Sequence, residues 1–96
     1  MNRLVVMISG ASRGIGAAIA AEMHAAGWNL SLGLRDPSAS PLPASDSVLN
    51  CRFDATDPES ETAWVDATRA RFGRLDGLVL NAGIHSTSSV LEATGE

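Results

Sequence analysis

Glycines at positions 10, 14 and 16 stand between a short apolar run, Arg3 to Ile8, and a stretch whose apolar residues recur at helical spacing. The run is rich in β-branched residues and breaks at Ser9-Gly10, as a strand buried on both faces of a parallel sheet does. From Ile15 to about Ala26, the residues Ile15, Ala18, Ile19, Met23 and Ala26 form one apolar stripe, closed by Gly27. A glycine loop joining a buried strand to a helix admits few folds. It also points the helix's unpaired N–H groups at whatever lies above the loop, which suits a pyrophosphate. Gly10 permits the tight turn, Gly14 lets backbone come close to phosphate, and Gly16 lets the helix pack on the strand. A phosphate-binding P-loop is excluded, because its lysine has no counterpart here.

Further along, Trp28 to Leu34 reads as a second strand, Val48 to Phe53 as a third, and Leu75 to Leu80 as a fourth. Between the second and third, Asp36 to Ser45 holds three of the four prolines, so a loop with no regular helix is expected as the crossover. Asp57-Pro58-Glu59 opens a second helix with a capping side chain, a proline in the first turn and an acid at the positive dipole end. That helix runs to about Phe72, stops at Gly73 and turns Trp64, Val65, Thr68 and Phe72 inward. The order of elements is that of an α/β doubly wound parallel sheet, Rossmann-type and partial, with about four strands in one unit spanning residues 1–96. Ligands bind such sheets at the carboxyl ends of the strands, where Gly10, Ser12, Arg13, Arg35, Asp54 and Asn81 would converge.

Composition narrows the chemistry. A net charge of −4 gives no basic face for nucleic acid. All seven cations are arginines, and the chain has neither lysine nor tyrosine, so no amine or phenol can act as acid, base or nucleophile. One cysteine, Cys51, and the absence of a convincing signal segment lead us to expect a cytoplasmic protein with no membrane contact. Cys51 reads as a small apolar residue of the third strand. No metal site is expected from His24 and His85, and Ser86, Ser88 and Ser89 read as a solvated loop.

The segment Ser9-Gly10-Ala11-Ser12-Arg13-Gly14-Ile15-Gly16 resembles the glycine motif of the short-chain dehydrogenase/reductase family, and Asn81-Ala82-Gly83 resembles its second motif. Asp54 stands where that family sets a carboxylate against the adenine amino group, with Ala55 beside it. The resemblance covers essentially the whole chain, and only the loop from Asp36 to Ser45 departs from the helix most members carry there. It implies an oxidoreductase that interconverts a carbonyl and an alcohol by hydride transfer with a nicotinamide dinucleotide. Cofactor-binding residues would be Gly10, Ser12, Arg13, Gly14, Ile15, Gly16, Arg35, Asp54, Ala55, Asn81, Ala82 and Gly83. Where a carboxylate would select NAD, the chain has Leu34 followed by Arg35, which with Arg13 favours the 2′-phosphate of NADP. Asp36 would reverse that preference if it faced the ribose, but it also reads as a turn residue before Pro37.

The family's catalytic serine, tyrosine and lysine have no counterpart up to Glu96, so no catalytic residue is expected within the chain. The expectation is therefore a cofactor-binding portion of a longer polypeptide, inactive alone, poorly soluble or in need of a partner through an apolar edge at Leu78-Val79-Leu80, and homo-oligomeric in the longer form. A non-catalytic dinucleotide-binding module or an inactive fragment is the alternative. Steroid, sugar, fatty acyl and quinone substrates fit equally.

Overall fold

Every residue of the first strand, β1 (Val5–Ser9), is buried, because it is flanked by parallel neighbours and covered on both faces. The computed structural model describes residues 3–12 and 14–80, in which α1 (Gly14–Ala25), β2 (Asn29–Leu34), β3 (Val48–Arg52), α2 (Pro58–Phe72) and β4 (Gly77–Val79) follow. The strands lie in the order β3-β2-β1-β4, all parallel, with Ile8 between Leu32 and Val79 and Leu34 beside Arg52. This is the expected doubly wound sheet.

Alternation along the strands divides the core in two. On one face Val6, Ile8, Leu30, Leu32, Leu34 and Val48 form a single cluster with Ala11 and with Ala20 of α1. Here the sequence reading of α1 needs correction: the helix buries Gly16 and Ala20, while Ile15 is 72% exposed and Ala18 and Ala26 are exposed. Two small residues four apart let the helix axis come close to the sheet, and Ile19 and Met23 fill the flank. The helix ends as expected at Gly27, in the left-handed region (φ 94°), with Trp28 N–H donating to Met23 O and Gly27 N–H to His24 O, both at 3.1 Å.

The other face is built around Trp64 of α2. Its indole Nε1–H donates to Ser31 Oγ (2.8 Å), and Thr68 Oγ1–H donates to the Trp64 carbonyl (2.8 Å). With that proton committed, the 2.6 Å contact between the two hydroxyls has Ser31 as donor, which closes a ring in which every buried proton is used. The indole packs closely against Gly33, and Phe53 lies against it at a tilt of 36° with ring centroids 4.9 Å apart. Large residues of β2 therefore face α1, and its small ones make a slot for Trp64.

Helix α2 has the predicted ends: Asp57 Oδ1 accepts from Glu59 N–H (3.1 Å), Pro58 opens the first turn, and Gly73 closes the helix at φ 77°. Between β2 and β3 the chain makes a single 3-10 turn at Pro37–Ala39, where a plain loop was expected. The fourth strand is shorter than the sequence suggests, three residues, and among the described residues it is the outer strand on its side, with Leu78 and Leu80 more than half exposed.

Asp76 fastens β4 to β1. Its Oδ2 accepts from Val5 N–H (2.8 Å), its own N–H donates to Val5 O (2.8 Å), and Arg74 grips both carboxylate oxygens at 2.8 Å. The Arg74 hydrogen bonds, and after them that of Val5, hold the Asp76 carboxyl below its usual range. A carboxyl lowered in the folded state contributes stability above its unfolded pKa of about 4 and loses it as pH falls through the lowered value. Thermal melts from pH 6 down to about 2 are expected to show a smaller acid loss for Asp76→Asn than for the unaltered chain. Equal acid sensitivity in the two proteins would refute this role.

Candidate functional site

The carboxyl ends of β1, β2 and β3 lie side by side, and the chain leaves each in a different way. After β1, Gly10 adopts φ 64° and its N–H donates to Gly33 O (3.1 Å), extending the pairing by one residue. Ala11 is fully buried, Ser12 is exposed, and Gly14 starts α1 at φ 67°. A Cβ placed on Gly14 would meet none of the described residues within 4 Å. The first turn of α1 contains no acid, whereas that of α2 contains Glu59 and Glu61. No acid within the first turn of α1 offsets its positive end. A left-handed glycine with no described residue over it, at a helix start whose first turn has no acid, fits the pyrophosphate of a dinucleotide. Ile15, though its side chain is exposed, lies in the turn whose N–H groups have no intrahelical acceptor. Gly16 is buried, as close packing of α1 on the sheet requires.

After β2, Phe53 N–H donates to Leu34 O (2.8 Å), so Arg35 and the Asp54 turn emerge next to each other. Arg35 is exposed and makes no hydrogen bond or ion pair with the described residues. Asp36 does not share that freedom. Its Oδ1 accepts from Ser38 N–H (3.0 Å) and Ser38 Oγ–H (2.7 Å), capping the 3-10 turn, and these bonds hold its carboxyl below the usual range. The expectation that Asp36 is a turn residue agrees with this geometry.

Asp54, two residues beyond β3, takes Thr56 Oγ1–H (2.7 Å) and Thr56 N–H (2.9 Å) on Oδ1. These bonds, with smaller help from the charges of Arg35 and Arg52, lower its carboxyl pKa. Its backbone is anchored from α2: Asp54 N–H donates to Ser60 Oγ (2.9 Å), and Ser60 Oγ–H faces the carbonyls of Asp54 (3.0 Å) and Asp57 (2.8 Å). Ala55 is exposed in the turn. The sequence reading missed Ser60, whose place four residues before Trp64 and eight before Thr68 was the available signal. It also missed Arg52, which bonds Asp57 Oδ2 (3.2 Å) and approaches Asp54 Oδ2 (3.8 Å).

The structure thus brings Gly10, Ser12, Gly14, Ile15, Gly16, Arg35, Asp54 and Ala55 to one end of the sheet or to the helix start above it. Arg13, Asn81, Ala82 and Gly83, together with His85, Ser86, Ser88 and Ser89, lie outside the described residues. His24 is exposed on α1, Cys51 is half-buried with its thiol pushed up by burial, and no cluster of metal-ligating side chains occurs among the described residues. Nor is any described helix long and apolar enough to cross a membrane. An open cleft lined by Arg3, Asn29, Asp46 and Arg74 lies at the opposite end of the sheet, away from the glycine loop.

Comparison with known proteins gives this geometry a lineage. Residues 4–96 match the family model described as short chain dehydrogenase. An agropine synthesis reductase of Rhizobium rhizogenes is 48% identical over 82 residues, which cover 82% of this chain and 19% of that protein. Among solved structures, a 3-ketoacyl-(acyl-carrier-protein) reductase from Brucella melitensis complexed with NADH superposes with a TM-score of 0.73 at 26% identity, over 80% of this chain and 33% of that one. The C-domain of a bacterial malonyl-CoA reductase with NADP gives 0.75 at 29% identity, over 84% and 15%. The chain spans about a fifth of the length of the agropine synthesis reductase it matches. With its glycine loop, its parallel sheet and a family match over almost all of its residues, the chain belongs to the short-chain dehydrogenase family.

Proposed function

We propose that this chain is the dinucleotide-binding part of a short-chain oxidoreductase that uses NADP(H) to interconvert a carbonyl and an alcohol. The observation that carries the cofactor choice is Arg35, exposed and unpaired among the described residues at the end of β2, beside an Asp36 whose Oδ1 is occupied by its own turn. A guanidinium there can form charge-assisted bonds with a 2′-phosphate, and Arg13 would join it from the glycine loop. Gly10, Ser12, Gly14, Ile15 and Gly16 would hold the pyrophosphate, Asp54 and Ala55 the adenine, and Asn81, Ala82 and Gly83 the ribose side. The bound dinucleotide supplies the hydride. With neither lysine nor tyrosine among its 96 residues, the chain contributes binding and orientation, and we assign it no catalytic residue.

The test is a fluorescence titration with NADPH and NADH. Loss of charge-assisted bonds in Arg35→Ala is expected to weaken NADPH by about 10- to 100-fold while leaving NADH nearly unchanged. Tighter binding of NADH by the unaltered chain, or equal loss of both nucleotides in the variant, would overturn the NADP assignment. A second reading is a non-catalytic dinucleotide-binding module, in which the same glycine loop and strand ends hold a nucleotide without turnover. It calls for nucleotide binding with no oxidation of NADPH by any carbonyl compound, and measured turnover would exclude it.

A further inference from the structure

Arg52 ends β3 beside Leu34, immediately before the point where Arg35 leaves the sheet. Its guanidinium meets two acids, with Nη1 3.2 Å from Asp57 Oδ2 and Nη2 3.8 Å from Asp54 Oδ2. Neither acid is loose. Asp54 Oδ1 is held by Thr56 and Asp57 Oδ1 by the N–H of Glu59, so both carboxylates are fixed with their second oxygens toward Arg52. Among the described residues Arg35 forms no competing pair, although the charge of Asp54 reaches it.

The corner therefore holds two cations and two anchored acids, and Arg52 is the cation in contact with both acids. Without it, Arg35 would be the one described cation whose charge reaches Asp54, its guanidinium would be drawn toward that carboxylate, and the corner would be one charge more negative. A ribose diol is neutral and would feel little of this. A 2′-phosphate carries a charge of about −1.5 to −2 near neutral pH and would be repelled. We propose that Arg52 is a positioning residue that sets cofactor choice: by engaging Asp54 and Asp57 it keeps Arg35 available to a 2′-phosphate. This rests on the NADP reading above. Because the Arg52 side chain is about half exposed, at 53%, its influence is a surface field that salt screens, whereas a purely mechanical role in the turn would not depend on salt.

The experiment titrates the full chain with NADPH and with NADH, by nucleotide fluorescence, at low salt and again at about 1 M salt, where the Debye length is about 3 Å. At low salt Arg52→Gln is expected to weaken NADPH about tenfold and NADH less than about twofold, and the gap should close at high salt. Arg52→Lys should retain most of the preference. Asp57→Asn, which keeps a good helix cap while removing one acid, should strengthen NADPH by about threefold over NADH. If Arg52→Gln fails to fold, Arg52→Lys and Asp57→Asn decide the matter, and an unchanged NADPH-to-NADH ratio in Asp57→Asn overturns the proposal. Equal loss of both nucleotides in Arg52→Gln, or a preference that persists there while Arg35→Ala abolishes it, overturns the role of Arg52 alone. An unaltered chain that prefers NADH or binds neither nucleotide overturns the NADP reading and this inference with it.

Discussion

Gly33→Ala is expected to destabilise the fold by about 3 kcal/mol, the upper part of the usual range for overpacking a tight core. A Cβ at Gly33 would stand 2.7 to 2.9 Å from three atoms of the Trp64 indole, far inside van der Waals contact. The indole cannot retreat easily, since Nε1 is bonded to Ser31 and Phe53 lies against its ring. For a chain of this size each kcal/mol moves the thermal midpoint by roughly 4–8 °C, so a fall of about 12–24 °C is expected in a melt followed by circular dichroism. A midpoint within about 3 °C of the unaltered chain would show that the slot has slack. Combining Gly33→Ala with Trp64→Leu should cost less than the sum of the two changes, because the smaller side chain removes the clash. Gly33 also links the core to the cofactor loop, as its carbonyl accepts the Gly10 N–H at 3.1 Å.

Gly14→Ala is expected to have the largest effect on nucleotide binding with a much smaller effect on folding. At φ 67° an alanine pays the left-handed backbone penalty of about 1–2 kcal/mol, but its methyl meets none of the described residues within 4 Å. The collision is with whatever occupies the cradle. If the methyl displaces an anion from two backbone N–H groups, NADPH and NADH should both weaken by about 100-fold. This joint loss distinguishes Gly14 from Arg35, whose removal should affect NADPH alone. The check is the same titration with a thermal melt to confirm folding; undiminished affinity in a folded Gly14→Ala protein would move the pyrophosphate away from this loop.

What was legible in the sequence depended on how many constraints acted on a residue at once. Strand β1 was readable because burial on both faces leaves an unbroken apolar run. The ends of α2 were readable because Asp57, Pro58 and Gly73 each do a job few other residues do as well. The face of α1 was not, since alanine recurs so often between Gly16 and Ala26 that several stripes fit equally, and only the sheet selects Gly16 and Ala20. Nor did β2 disclose its slot: Ser31 and Gly33 look like weak strand residues until Trp64, more than thirty positions later, is laid over them. At the site, Gly10, Gly14 and Arg35 stood out because each follows a strand end, whereas Arg52 and Ser60 act through partners that only the folded turn assembles.

The position of β1 in the sheet has a consequence for how the chain is made. Its β2 neighbour is about two dozen residues away in sequence, but its β4 neighbour is synthesised about 70 residues after it. At a synthesis rate of about 5–20 residues per second, one side of β1 waits roughly 4 to 14 seconds for its partner. During that interval a bare row of backbone donors and acceptors is bordered by Val5, Val6, Met7 and Ile8, among the stickiest side chains in the molecule. The strand best protected in the finished protein is thus the one most open to capture by another nascent chain.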